Sequence, residues 1–340
     1  GPVGELKGFG RNKAVIAIGA GPSLKNNIEY LKEVSLIDGT KPYENQDFIF
    51  IASNHQFKPC LKRGIIPHFV MLCDAADSLM DQMCKDIPAN GQATILLASL
   101  QVSPKIIKRW REQGRKVKFL MSAADKFKEL FEKETKDTVA DLRVVQGGNI
   151  MNNMWTLSGG HLKSTVYMGV GNDMSFPRAE NIKEQRKSFY EDEDYSTNIA
   201  SKRDEARSQH DWMGFEFYEN VISTSGAPLI RLKPVRTTGQ FLTYKAWIES
   251  MVGLNVMNKQ VFRYYNCSEA GILGVKCKDE SVEGLENKEN WFLLDEVYPK
   301  RWCTRKLEDA VTEFLAAKTV MRQRINANLI EKPKSMSTLQ

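Results

Sequence analysis

The stretch Val15-Ile16-Ala17-Ile18-Gly19-Ala20-Gly21-Pro22-Ser23-Leu24 constrains the fold of this chain more than any other. A short unbroken apolar run ends in a Gly-x-Gly-Pro-Ser turn, and an amphipathic segment with Leu24, Ile28 and Leu31 on one face follows. The pattern reads as a strand, a tight turn and a helix start. A strand that is apolar throughout is covered on both faces, which is the habit of parallel sheets. Comparable runs recur at 48–52, 69–73, 94–98, 117–120, 142–145 and 165–169. Helix-like segments lie between them, among them 54–63, 104–113 and 124–132. This alternation predicts an α/β fold: a doubly wound, mostly parallel sheet with helices on both faces. Its crossovers are right-handed and its ligand cleft lies at the carboxyl ends of the strands.

The glycine turn suits an anion, because free backbone N–H groups and the helix dipole both favour negative charge there. It is not the dinucleotide fingerprint: a third glycine would fall at Leu24, and no Walker lysine-serine pair follows. Pro22 suits a first helical position, and Ser23 adds a hydroxyl.

At 340 residues the chain is long enough to bury a sizeable core, and its 42% apolar and 26% charged residues are those of a globular protein. A net charge of +6 favours anionic ligands without demanding nucleic acid. No run approaches the roughly 18 apolar residues of a membrane helix, and no signal-type leader is recognised. The cysteines (Cys60, Cys73, Cys84, Cys267, Cys277, Cys303) are scattered without a C-x-x-C pair, as expected of reduced thiols in a cytoplasmic protein. The four histidines are equally dispersed, so no metal-ligand cluster is visible.

The expected organisation is a Rossmann-like nucleotide-binding core over 12–175, a long polar lid over 176–210, a completion of the core over 211–275, and an irregular segment with a basic C-terminal helix over 276–340. Helical periodicity is read at 211–221. It returns at 237–254 behind a threonine cap, with Phe241, Tyr244, Ile248 and Met251 on one face. Residues 261–298 read as irregular. The last helix, 304–329, sends Leu307, Val311, Phe314, Met321 and Ile325 inward and Lys306, Lys318, Arg322 and Arg324 outward.

Chemistry-bearing residues fall at the strand ends. The first strand supplies Gly19, Gly21, Pro22 and Ser23 as a phosphate cradle. The second ends in Ser53-Asn54-His55, uncharged where a nicotinamide enzyme places a carboxylate for the ribose. The third leads to Asp74, suited to Mg²⁺, a ribose, an acceptor hydroxyl or a helix N-cap. Gly147-Gly148-Asn149 forms a second glycine element, and Gly171-Asn172-Asp173 brings another carboxylate. His210, beside Asp211 at the end of the lid, is a candidate general base, and Arg178, Arg203 and Arg207 could close on an anion. Asn266, Ser268 and Glu269 stand ready to contact a ligand from the opposite wall.

Taken in order, Gly19-Ala20-Gly21-Pro22-Ser23-Leu24, Ala52-Ser53-Asn54, Gly64-Ile65-Ile66-Pro67-His68-Phe69 leading to Asp74, Gly147-Gly148-Asn149, Gly171-Asn172-Asp173 and Asn266-Cys267-Ser268-Glu269-Ala270-Gly271 resemble the MptE-like family over about 12–275. That family includes motility accessory factors, which look like glycosyltransferases, and archaeal 6-hydroxymethyl-dihydropterin diphosphokinases. Its core is similar to bacterial CMP-sugar sialyltransferases. The chain departs from the pattern at Gly147-Gly148-Asn149, where serine or threonine is more usual, and in the cysteine and alanine of the 266–271 motif.

The resemblance implies a transferase that uses a nucleotide-activated sugar, foremost a CMP-linked nonulosonic acid, and an acceptor glycan, protein or small molecule. Asp74, Asp173 and His210 would then be catalytic. The alternative is a diphosphokinase moving pyrophosphate from ATP to a pterin alcohol, with Mg²⁺ held by Asp74 and Asp173. A third reading, from the basic outer face of the last helix, is a nucleic-acid-acting transferase or a non-catalytic nucleotide-binding module.

Overall fold

A computed structural model describes residues 1–121, 142–175, 215–254, 262–279 and 281–331. In chain order the strands are β1 (Ala14–Ile18), β2 (Phe48–Ser53), β3 (Phe69–Leu72), β4 (Ile95–Ser99), β5 (Val117–Leu120), β6 (Val166–Val170), β7 (Phe215–Ile222), β8 (Pro228–Thr237), β9 (Arg263–Asn266), β10 (Val275–Cys277), β11 (Trp291–Leu293) and β12 (Trp302–Thr304). The helices are α1 (Leu24–Gly39), α2 (Phe57–Lys62), α3 (Met80–Cys84), α4 (Pro104–Glu112), α5 (Ile150–Leu157), α6 (Gly239–Leu254), α7 (Val282–Glu286), α8 (Leu294–Val297) and α9 (Leu307–Glu331).

Eight strands form one parallel sheet in the order β12-β9-β6-β1-β2-β3-β4-β5. Alternate side chains explain how it is covered. Val15, Ala17, Ile49, Ile51, Phe69, Met71 and Leu97 share one core with Met151, Met154 and Leu157 of α5 and Ile248 and Val252 of α6. Their neighbours Ala14, Ile16, Ile18, Phe48 and Phe50 face Leu24, Leu31 and Val34 of α1 and Leu307 and Val311 of α9. Farther along that second face, Val70, Leu72, Leu96 and Ala98 pack on Phe57, Met83, Ile106 and Trp110. The expected α/β fold with a mostly parallel, doubly covered sheet is therefore present.

Several local readings change. No strand forms at 142–145; Leu142 and Val144 are buried, and Arg143 makes a single parallel bridge to Met121. Within 211–221, read as helical, the described residues from Phe215 onward form β7, paired with β8 in an antiparallel hairpin that bulges between Phe217 and Glu219. Residues 261–298, read as irregular, contain β9 inside the main sheet and the β10–β11 hairpin. Before β1, Val3 and Leu6 are buried in the first cluster. Within 304–329 the helix itself starts at Leu307, after β12, and Met321 is 55% exposed rather than inward. The helix segment 124–132 and the lid 176–210 lie outside the described residues.

One buried ion pair ties the helical cover to the irregular half of the chain. Lys245 and Glu249 lie one turn apart on α6, their side chains only 5% and 1% exposed, 2.8 Å from each other. Glu249 also accepts the Gly274 N–H at 2.8 Å, and the Lys245 ammonium donates to the Val275 carbonyl at 2.6 Å. Removing one partner strands the other charge in the interior. Glu249→Ala is expected to cost about 3–5 kcal/mol in urea unfolding; a loss below about 1 kcal/mol would show that water reaches Lys245.

Candidate active site at the β1–β6 junction

The order of the sheet reverses at β1: β2 to β5 extend to one side, while β6, β9 and β12 extend to the other. In open α/β sheets the crevice beyond such a switch point is where ligands bind. Here it is bounded by the turn after β1 and the loop after β6.

The two loops are clasped together. Asp173 accepts the Ser23 N–H at 2.8 Å with Oδ2 and the Ser23 hydroxyl with Oδ1. Gly21 donates to the Gly171 carbonyl at 2.8 Å, and Gly19 to the Val170 carbonyl at 2.9 Å. A Cβ on Gly21 would lie 2.7 Å from the Asp173 carboxyl carbon, so the approach requires glycine. Helix α1 begins at Leu24, which leaves Pro22 in the turn rather than at the first helical position. The N–H of Ala20 meets no acceptor among the described residues.

Burial raises the Asp173 carboxyl to about 7 from an ordinary 3.8; the Ser23 hydrogen bonds pull it down, and the nearby charge of Glu219 pushes it up. Glu219 is itself buried and paired with Arg231.

Behind the clasp stands a wall of buried amides and hydroxyls. The Asn172 N–H donates to Ser268 Oγ at 3.0 Å, and its side chain donates to the Tyr264 hydroxyl at 3.2 Å. Asn266 accepts the Ser268 N–H at 3.3 Å and donates to the Leu273 carbonyl at 3.3 Å. Asn27 of α1 reaches the Cys267 carbonyl at 3.0 Å, and Ile272 donates to the Asp173 carbonyl at 2.9 Å. Asn266 and Ser268 are thus joined to the β6 loop. Glu269 is half-buried and at φ +62°; burial raises its pKa, opposed by Lys306 and by the Leu307 N–H at the start of α9.

The second glycine element packs under α6. Gly148 has φ +84°, and a Cβ there would lie 2.3 Å from the Tyr244 ring. Gly147 donates to Asn153 Oδ1 at 3.1 Å, while Asn149 caps α5 by accepting the Asn152 N–H at 2.8 Å. Asn149 also points its amide to Met174 Sδ at 3.5 Å, which brings this element to the β6 loop.

The end of β2 makes a separate cluster. Asn54 donates to Gln82 Oε1 at 3.2 Å, and the Gln82 amide meets His55 Nδ1 at 3.0 Å. The Ser53 hydroxyl is buried with no hydrogen-bond partner among the described residues. Burial lowers the His55 pKa, partly offset by Asp74. Asp74 itself is exposed, and its Oδ1 accepts the Ala76 N–H at 2.9 Å in an Asx turn. His68 lies at the other end of its strand, between the Phe50 N–H and Gln46, and burial lowers it to about 4. His210, Arg178, Arg203 and Arg207 lie outside the described residues.

Residues 2–178, just over half of the chain, match the family described as 6-hydroxymethylpterin diphosphokinase MptE-like. The chain belongs to the MptE-like family. That membership supports a transferase-like function. Among solved structures, this MptE-like chain superposes on a structure titled as the MAf glycosyltransferase from Magnetospirillum magneticum AMB-1, with a TM-score of 0.50 at 15% identity. The match covers 77% of this chain and 32% of that protein, so the chain spans about a third of its length. At that identity the likeness shows a shared fold. No curated protein sequence matches the chain.

Sequence reasoning passed over the residues that seat the clasp from behind. Asn220 on β7 accepts no attention from any motif, yet its amide donates to the Leu273 carbonyl at 3.0 Å and to Thr304 Oγ1 at 2.8 Å. Its own N–H reaches the Gly271 carbonyl at 2.8 Å. The sequence carried no signal for it, since Glu219 and Asn220 are adjacent polar residues that are both buried.

The clasp predicts a pH dependence. Asp173 keeps its proton in the folded state up to about pH 7, whereas in the unfolded chain it ionises near 3.8. Between those values the folded state binds more protons, so this group's contribution falls as pH rises, by up to about 1.4 kcal/mol per pH unit. Comparing unfolding free energies at pH 4.5 and 6.5, Asp173→Asn is expected to remove most of that slope. An unchanged slope would show that Asp173 ionises normally.

Proposed function

We propose that the protein is a glycosyltransferase that takes a nucleotide-activated sugar, a CMP-linked nonulosonic acid, at the crevice between β1, β2 and β6. The Ser23–Asp173 clasp is the observation that supports this reading. The N–H groups of Gly19, Gly21 and Ser23 are bonded within the chain, Pro22 has none, and Ala20 is left to face a ligand. Such a turn suits a donor with a single phosphate better than a metal-bound triphosphate. Asn54 at the end of β2 and Asn149 at the start of α5 flank the same edge for base, ribose or sugar hydroxyls.

In this reaction the acceptor oxygen forms a bond to the anomeric carbon, and the bond from that carbon to the phosphate oxygen breaks. The electron pair leaves with CMP and the acceptor proton passes to a base, for which His210 is the candidate. Positioning and stabilisation of the departing phosphate by fixed N–H dipoles supply the acceleration.

The diphosphokinase alternative requires Mg²⁺ between Asp74 and Asp173. The residues do not fit that ion: both Asp173 oxygens are directed at Ser23, and burial favours the protonated acid. The Asp74 carboxylate is engaged in its own exposed turn. The nucleic-acid alternative loses part of its basic face, because Lys318 is ion-paired to Asp47.

The test incubates the protein with CMP-sugar, and separately with ATP and hydroxymethylpterin, each with and without EDTA. The expected result is CMP release insensitive to EDTA; AMP formation with the pterin would overturn the reading. His210→Ala is expected to lower turnover by about 10²–10⁴-fold while CMP still stabilises the variant. Undiminished turnover would remove His210 as the base.

A further inference from the structure

The apolar run of β2 stops at Ser53, and the chain turns at once into a short helical turn, Asn54–Gln56, that packs against α3. Gln82 stands on α3, and that helix is firmly seated. The Lys58 ammonium of α2 donates to the Asp81 carbonyl at 2.7 Å, and Met83 and Cys84 are buried with Ile106 and Trp110 of α4. Gln82 is thus a polar side chain on a fixed support, facing the first residues after β2.

Three side chains meet there in series. Asn54 donates its amide to Gln82 Oε1 at 3.2 Å, and the Gln82 amide nitrogen lies 3.0 Å from His55 Nδ1. With its oxygen turned to Asn54, Gln82 turns its NH₂ to the ring, and an amide N–H only donates. His55 Nδ1 therefore accepts with its lone pair, and the neutral ring carries its proton on Nε2. A protonated ring would set an N–H of its own against the Gln82 NH₂. Burial acts in the same direction, lowering the His55 pKa from its ordinary 6.5, while the Asp74 carboxylate on the loop after β3 opposes it. The series also orients Asn54: with its NH₂ on Gln82, its carbonyl is turned away from that residue.

We propose that Gln82 is a positioning residue of the crevice: its amide, accepting from Asn54 and donating to His55, holds the first in one rotation and the second in one tautomer, and so fixes the donors and acceptors that the β2 end offers a nucleotide. The proposal rests on the reading of the crevice as a nucleotide site. The two halves of the amide can be separated by substitution. A carboxylate at position 82 still accepts from Asn54 but cannot donate to His55, and a methionine of similar length does neither.

Heteronuclear NMR of the imidazole nitrogens, with the His55 signals assigned by their loss in His55→Asn, tests the tautomer without any ligand. In the unaltered chain Nδ1 is expected to resonate as an unprotonated ring nitrogen and Nε2 as an N–H. Gln82→Glu should bring a proton onto Nδ1 and raise the His55 pKa by about one unit or more. Gln82→Met should give a mixture of tautomers, and unchanged signals of the buried His68 show that both variants fold. Titration with CMP reads the consequence for binding: Gln82→Met should weaken it at least tenfold, with Gln82→Glu between it and the unaltered chain. A proton on Nδ1 of the unaltered chain, or His55 signals that ignore both substitutions, overturns the proposal. CMP bound by Gln82→Met as tightly as by the unaltered chain overturns it equally, by reducing Gln82 to a structural contact. An unaltered chain that binds no CMP contradicts the reading of the crevice instead, and the His55 signals then decide the role of Gln82.

Discussion

The buried contact between Ser23 and Asp173 is the constraint on which the site depends. It joins two loops 150 residues apart in sequence, at the point where the parallel sheet changes direction. A carboxyl group with this little water around it is stable only when its hydrogen bonds are made. The two Ser23 donors supply them, and the glycines at 19, 21 and 171 let the backbones come close enough. The turn that a sequence pattern offers to a phosphate is thereby partly filled by the protein's own acid.

Everything behind the clasp reinforces its position. Asn172, Ser268, Asn266 and Tyr264 form a continuous hydrogen-bonded wall, and Asn220 fastens β7 to it. The Lys245–Glu249 pair holds α6 over the 274–275 turn, and α6 in turn presses Tyr244 and Trp247 onto the second glycine element. The two glycine motifs therefore have different local causes. The first permits the meeting of two loops, and the second permits a helix to lie close over a turn.

Much of the fold was legible because parallel strands buried on both faces leave unbroken apolar runs, as in 14–18, 48–52 and 69–73. What escaped was structure with weaker signals. Strands β9 and β12 are short and carry polar or aromatic residues such as Tyr264, Asn266 and Trp302, whose burial comes from neighbours distant in sequence. The apolar run 142–145 did not become a strand, since only Arg143 finds a bridge partner. In the site, the strand-end residues were readable by type. Their bonding was not: no spacing reveals that Ser23 is turned to Asp173, or that Asn54 is held by Gln82 from α3.

The most direct measurement is a crystal structure of the protein with CMP. The account predicts the nucleotide across the ends of β1, β2 and β6, its phosphate against the Ala20–Gly21 turn, with the Ser23–Asp173 clasp intact. CMP bound at another edge of the sheet, or a phosphate that displaces Asp173 from Ser23, would contradict it.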